Sequence, residues 1–370
     1  MRISPSQMTW SLLCIALVFT MSACGHRSVS IASTDSLEPG AFKLGYLESS
    51  NREAGGYAEQ FIMHGRLESG GRLFLRLFIT NMAGAKGRAE LTGRITLPSG
   101  EVYRVSTKKS GGAWRFGPSE FDVKLGSNRV RVKDGEAVVE LVGQNFETRF
   151  TVVSTLPAFR PSGESMQFGD GFYYQTTVLF PRGQVEGVLR TVTSASDAKR
   201  ETVSSELSGV LFAEHRVGNM AIYDMSQRWL QVRDVGSEHT FVLSAFQRSK
   251  RLGGGVQAWM YIADDDGIRM YEPSISLDLK DFTRIGQGPY DVPTSLSFQG
   301  TKGGVGVVKS DRLSSHKSDL SSLSPLVRKL VSLVMNPWTY RHQARYLIRA
   351  TSEEELVFDG EAVYSYMQLR

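Results

Sequence analysis

Arg72-Leu73-Phe74-Leu75-Arg76-Leu77-Phe78-Ile79-Thr80 repeats with a period of two. In an extended chain Leu73, Leu75, Leu77 and Ile79 share one face, while Phe74, Arg76, Phe78 and Thr80 share the other. A helix would scatter both sets around its circumference, so the stretch is read as a strand. The same rhythm extends outward. Asn128-Arg129-Val130-Arg131-Val132-Lys133 alternates and turns at Asp134-Gly135 into Ala137-Val138-Val139-Glu140-Leu141-Val142. Pro98-Ser99-Gly100 separates two further runs. Strand-like segments recur at Thr176–Phe180, Gln184–Leu189, Thr240–Phe246, Val256–Ile262 and Ala344–Ile348, with a hairpin expected at Asp359-Gly360. Many short strands joined by tight turns predict an all-β protein with antiparallel barrel or sandwich domains.

At 370 residues the chain has room for two such domains. The alternation lapses over Leu156-Pro157-Ala158-Phe159-Arg160-Pro161-Ser162-Gly163, which places the expected boundary between domains at 45–158 and 159–370. One helix is expected over residues 325–335. Ser324 is its N-cap, Pro325 its first residue and Asn336-Pro337 its stop, with Leu326, Val327, Leu330, Val331 and Val334 on one face. Such a helix would pack on a barrel wall or across its mouth, or serve as a lid or membrane-surface segment.

A hydrophobic fraction of 41% excludes wholesale disorder. The net charge of +5 is spread along the chain, which gives nucleic-acid binding little support. The N-terminus differs from the rest. Arg2 precedes the apolar run Trp10–Phe19, and Met21-Ser22-Ala23-Cys24 follows. A positive start, a short apolar segment and small residues at a cleavage point describe a secretory signal over residues 1–23. The run falls well short of the ~20 residues a spanning helix needs. Residues 24–44 read as a tether.

Chemistry-bearing motifs are sparse. There is no Cys-x-x-Cys, His-Glu-x-x-His, Gly-x-Ser-x-Gly or phosphate-cradling Gly-x-x-x-x-Gly-Lys, so neither a metal nor a cofactor is expected. Gly253-Gly254-Gly255 reads as a flexible connection. Asp264-Asp265-Asp266-Gly267 reads as a hairpin turn, since it lacks the alternating ligands and distal Glu of a calcium loop. The densest polar segment is Glu214-His215-Arg216, after the strand-like Gly209–Phe212. His215, with Glu214, is the candidate proton donor; the alternative is a buried polar cluster closing a barrel end. Arg216, Trp229, Trp259 and Tyr261 are candidate ligand contacts.

Two resemblances add to this. Met21-Ser22-Ala23-Cys24 resembles the bacterial lipobox, although the family prefers Leu where Met21 stands. It implies acylation (palmitate among the chains) at Cys24 and, with Gly25 next, an outer-membrane lipoprotein facing the periplasm. Gly209-Val210-Leu211-Phe212-Ala213-Glu214-His215-Arg216-Val217-Gly218, with Trp229 after it, resembles the tandem lipocalin-like group of carotenoid 1,2-hydratases (hydroxyneurosporene synthases) and survival-factor lipid carriers. Phe212, Glu214, His215 and Gly218 stand at the motif's Tyr, Asp, His and Gly; Arg216 and Val217 replace its Asn and Trp. The resemblance implies two joined β vessels, each able to enclose an apolar ligand, and for the hydratases an acid-catalysed addition of water to an alkene. The expected function is a lipid-anchored envelope protein that binds a lipid or other hydrophobic molecule. The alternatives are a hydratase or isomerase on an isoprenoid-like substrate, and a non-catalytic scaffold in an envelope assembly.

Overall fold

The computed structural model describes residues 43–369 apart from 83–85, 119, 162–165, 169–170, 196–198, 287, 319, 322–328, 330–331, 333–335 and 352–354. The expected signal, Cys24 and nearly all of the expected helix lie outside the described residues.

Antiparallel strands dominate, as the alternation predicts. They begin with β1 (Ala58–Leu67), β2 (Arg72–Thr80), β3 (Arg88–Thr96), β4 (Val102–Lys109), β5 (Arg115–Phe116), β6 (Phe121–Leu125) and β7 (Asn128–Lys133). Next come β8 (Glu136–Val142), β9 (Phe146–Val153), β10 (Met166–Gln167) and the long pair β11 (Tyr173–Ala195) and β12 (Lys199–Gly218). These twelve form one sheet in the order β4-β3-β2-β1-β12-β11-β9-β8-β7-β6-β5, with β10 beside β11. It curls until β3 and β4 meet β6.

The second half holds β13 (Ser226–Val235), β14 (Thr240–Arg248), β15 (Val256–Ala263), β16 (Ile268–Glu272) and β17 (Ile275–Arg284). It continues with β18 (Asp291–Gly300), β19 (Gly304–Ser318), β20 (Trp338–Thr351) and β21 (Glu355–Gln368). This nine-stranded sheet runs β16-β15-β14-β13-β21-β20-β19-β18-β17 and curls until β15 meets β17.

Two sequence expectations need correction here. The boundary does not fall at 158. β11 and β12 still pair with β9 and β1, so the first sheet ends at Gly218 and the chain crosses over residues 219–225. The lapse at Pro157 and Pro161 is a connection inside the first sheet, between β9 and β10. The runs read at 176–180 and 184–189 are one strand, because β11 absorbs Pro181 in a bulge, where register shifts between Val178 and Gly183 excuse its missing N–H. Asp359-Gly360 is not a hairpin either, but lies inside β21. A Cβ on Gly360 would stand 2.8 Å from the Tyr346 hydroxyl and 2.9 Å from an Asp234 carboxylate oxygen, so glycine is there for close approach. Asp134-Gly135 does turn as read, with positive φ at both residues (50° and 78°).

The hollow interiors are the third correction. Leu73, Leu75, Leu77 and Ile79 point into the first barrel as predicted, but they meet Phe61, Phe121, Phe150, Leu141 and many others in a filled core. The second barrel is filled likewise, with Tyr340, Tyr346, Tyr364 and Phe241. Opposed inward faces of curled sheets bring bulky side chains together, and burying each contributes about 1.5–3 kcal/mol.

His342, buried in the second barrel, has its Nδ1 2.7 Å from the Ser310 hydroxyl and no partner at Nε2. Burial pushes its pKa down to about 4. The unfolded chain, with an ordinary imidazole, binds the proton first as pH falls, so stability is full above about pH 6.5 and declines toward pH 4. We expect unfolding free energy from urea titrations to drop by roughly 3 kcal/mol across that window on account of this group. His342→Gln should flatten the slope; an unchanged slope would mean the ring already protonates in the folded state.

Candidate functional site

A strand between two packed layers sends alternate side chains into different compartments. β12 is such a strand. His215 points into the first barrel, whereas Glu214 and Arg216 point outward toward β13 of the second sheet. Two apolar clusters join the sheets there. Phe159, Val178, Phe212, Val242, Trp259 and Tyr261 form one. Met166, Phe168, Tyr174, Met225, Trp229 and Phe246 form the other. The buried Arg182 guanidinium, swung out by the β11 bulge, adds bonds to Asp265 (2.7 Å) and the Gly236 carbonyl (3.0 Å).

A cavity of about 240 Å³ opens between the sheets. Its first wall is the outer face of β1, β2 and β12, with Ala58, Gln60, Ile62, His64, Phe74, Arg76, Phe78 and Arg216. The second wall is Trp229, Gln231 and Arg233 of β13, Thr339 and Arg341 of β20, and Ser365, Tyr366 and Met367 of β21. Register aligns each wall in rows. Arg76 stands beside Ile62 and Ile62 beside Glu214; opposite, Gln231 stands beside Ser365 and Ser365 beside Arg341. Met82, Met220, Ile222 and Met225 add adaptable apolar surface.

The polar groups between the walls are tied in pairs. Arg216 Nη2 lies 2.6 Å from Glu214 Oε1, and the guanidinium sits 4.8 Å over the Trp229 ring. Gln231 Nε2 donates to both Glu214 oxygens, at 3.2 and 3.3 Å. Arg233 donates to His64 Nε2, and Phe74 packs 5.1 Å from the same imidazole. Burial, then Arg233, Arg341 and Arg216, hold His64 well below the ordinary histidine pKa, so its ring is neutral and accepts. Burial likewise pushes Arg233 down to about 9, with Glu214 opposing and Arg216 and Arg341 assisting. Trp229 Nε1, Ser365 Oγ and the Nε atoms of Arg76 and Arg216 are buried with no partner.

Of the residues singled out in the sequence, Arg216 and Trp229 line the cavity and Glu214 stands just behind them. His215, Trp259 and Tyr261 do not. Trp259 and Tyr261 belong to the solid cluster between the sheets, where the Tyr261 hydroxyl donates to the Pro181 carbonyl at 3.0 Å. His215 Nε2 lies 2.6 Å from Glu59 Oε1 at the end of the first barrel. The same carboxylate accepts from Gly45 N (2.8 Å), Tyr46 N (3.1 Å) and the Tyr57 hydroxyl. That arrangement moors the segment before β1 and matches the buried-cluster alternative. His64, Gln231, Arg233 and Arg341 were missed. The available signal was β2 itself, whose second face carries Phe74, Arg76 and Phe78 where a solvent face would be plainly polar.

No known protein family and no curated protein sequence matches this chain. Solved structures do. Kievitone hydratase from Nectria haematococca shares 14% identity over 92% of this chain and 97% of its own, with a TM-score of 0.53. CghA with Sch210972 shares 12% over 92% and 97%, also at 0.53. A protein from Nitrosomonas europaea assigned as ATTH shares 14% over 90% and 99%, at 0.51. The fold is tandem lipocalin-like. The expected fold class is thereby borne out, and identities this low carry the likeness in fold alone.

His215→Ala should remove a buried hydrogen bond and leave a cavity in the first barrel, destabilising the protein by about 2–4 kcal/mol. Chemical denaturation measures that loss. Ligand affinity of the folded variant should stay unchanged; its collapse would return His215 to the functional site.

Proposed function

We propose that this protein binds a hydrophobic small molecule in the cleft between its two sheets. The observation that carries the reading is a cavity with apolar walls from both sheets into which buried, unpartnered donors (Trp229 Nε1 and Ser365 Oγ among them) are gathered. Leaving such groups buried without a partner costs about 1–3 kcal/mol each, a deficit that a ligand's acceptors relieve. Apolar enclosure with a few convergent polar atoms is the usual character of a small-molecule site. At about 240 Å³ the cavity stands just below the ~300–1,000 Å³ common for small-molecule sites. That suits a compact molecule, or the head of a longer one whose tail leaves by the Met-lined side.

A neighbour named as a hydratase keeps an enzyme as the second reading. One residue here favours it: His64 is a titratable ring on the cavity wall. Held neutral by burial and the neighbouring arginines, with Nε2 engaged by Arg233, it has no proton to give an alkene and takes one up poorly. Binding is therefore the reading we adopt. We further propose that Cys24 is acylated and tethers the protein to the bacterial envelope, on the support of the Met21-Ser22-Ala23-Cys24 stretch.

Titration with a neutral apolar fluorophore such as Nile red should show one saturable site. Ala58→Phe, which projects a ring into the cavity, should weaken binding at least about tenfold while Trp259→Phe leaves it unchanged. Binding indifferent to Ala58→Phe would move the site elsewhere. For the anchor, Cys24→Ala should shift the full-length protein from the membrane to the soluble fraction of its host cell and abolish palmitate labelling; persistence of label would overturn the assignment.

A further inference from the structure

Among the described residues that line the cleft, four carry guanidinium groups (Arg76, Arg216, Arg233 and Arg341) and none is Asp or Glu. Arg216 and Arg76 are answered by carboxylates from behind the walls. Glu214 takes Arg216 at 2.6 Å, and Glu90 lies 3.5 Å from Arg76 at the half-exposed outer edge. Arg233 leans on neutral His64, a partner that brings no negative charge. The wall around Arg233 is therefore positively charged, because the contact that holds this guanidinium brings no counter-charge.

The hydrogen-bonding inventory agrees independently. The unpartnered buried atoms on the walls are Arg76 Nε, Arg216 Nε, Trp229 Nε1 and Ser365 Oγ. The first three can only donate, and the hydroxyl can donate. His64 Nε2, an acceptor on the wall, is already taken by Arg233. A ligand that satisfies this set must offer acceptors and negative charge together. Its remaining surface must be apolar, because Phe74, Phe78, Ile222, Met225 and Met367 complete the lining.

We infer that the ligand is an amphipathic organic anion, with a carboxylate or enolate head among Arg216, Arg233 and Arg341 and an apolar body against Trp229 and the methionines. This rests on the ligand-binding role proposed for the cleft and names the ligand's class. Planar guanidinium groups suit such a head, since each can give two parallel N–H donors to a delocalised O–C–O or O–C–C–C–O group. Displaced water is no substitute. The ion's charge relieves repulsion among guanidinium groups so close that Arg216 and Arg341 act on both Arg233 and His64. The same crowding disfavours a cationic amphipath, and a neutral one leaves the positive charge unanswered.

The test compares three ligands with one ten-carbon tail, namely decanoate, decanol and decylamine, by calorimetry on the folded chain at pH 7.5. Decanoate should bind at least about tenfold more tightly than decanol, with decylamine weakest. Arg233→Met and Arg341→Met should each narrow the ratio of decanoate to decanol affinity. Equal affinity for decanoate and decanol would overturn the anionic class while leaving the apolar site standing. No binding of any of the three, with no Nile red binding, would overturn the site itself. A decanoate preference that survives both methionine variants would place the head away from these arginines and overturn the inference as well. The wild-type ligand series decides the matter even if a variant fails to fold.

Discussion

Burial of both faces of β1, β12 and β13 is the constraint on which the molecule depends. Each of these strands has a filled barrel behind it and the opposite sheet in front. Period-two geometry then divides consecutive residues between two interiors that want different chemistry. At Glu214-His215-Arg216 the middle residue serves the first barrel, where Glu59 receives it, and the outer two serve the cleft. A slip of one residue would exchange them, leaving a guanidinium inside an apolar barrel.

Such a strand can carry charge only where the facing sheet supplies partners. Arg216 has Glu214 beside it and Trp229 across, and Gln231 spends its amide on the same carboxylate. These contacts meet the desolvation of the charges in part, since a buried ion pair rarely repays it in full. Adhesion between the sheets comes instead from the two apolar clusters and from the Arg182 bonds. The second cluster borders the cleft through Tyr174, Met225 and Trp229, with Tyr174 against Trp229 at 5.5 Å and Trp229 against Phe246 at 5.7 Å. Four unpartnered polar atoms of the interface, Arg76 Nε, Arg216 Nε, Trp229 Nε1 and Ser365 Oγ, are thus gathered on the walls of the cavity.

The cleft lies outside the barrels, on their facing outer walls. Each barrel is a solid block, and its rigidity fixes the spacing and register of the residues on its outer wall. Rows such as Gln231, Ser365 and Arg341 stay aligned because three hydrogen-bonded strands hold them in register. Adjustability is left to the unbranched Met82, Met220, Met225 and Met367.

Local chemistry made much of the architecture legible. The alternation around Leu73–Ile79, the Asp134-Gly135 turn and the Asp264–Gly267 turn each depend on residues within a few positions of one another, and each formed as read. The sequence also singled out Arg216 and Trp229, because polar and aromatic residues beside an apolar strand are conspicuous. It did not reveal that Pro181 lies in a bulge, that Gly360 makes room for Tyr346, or that His64 meets Arg233. His64 and Arg233 are 169 positions apart in the chain. Periodicity within one strand states that two faces exist, but which of them meets solvent is decided by what the rest of the chain lays against it. Strands were therefore determined by short-range order, and the cleft by long-range packing of one sheet upon another.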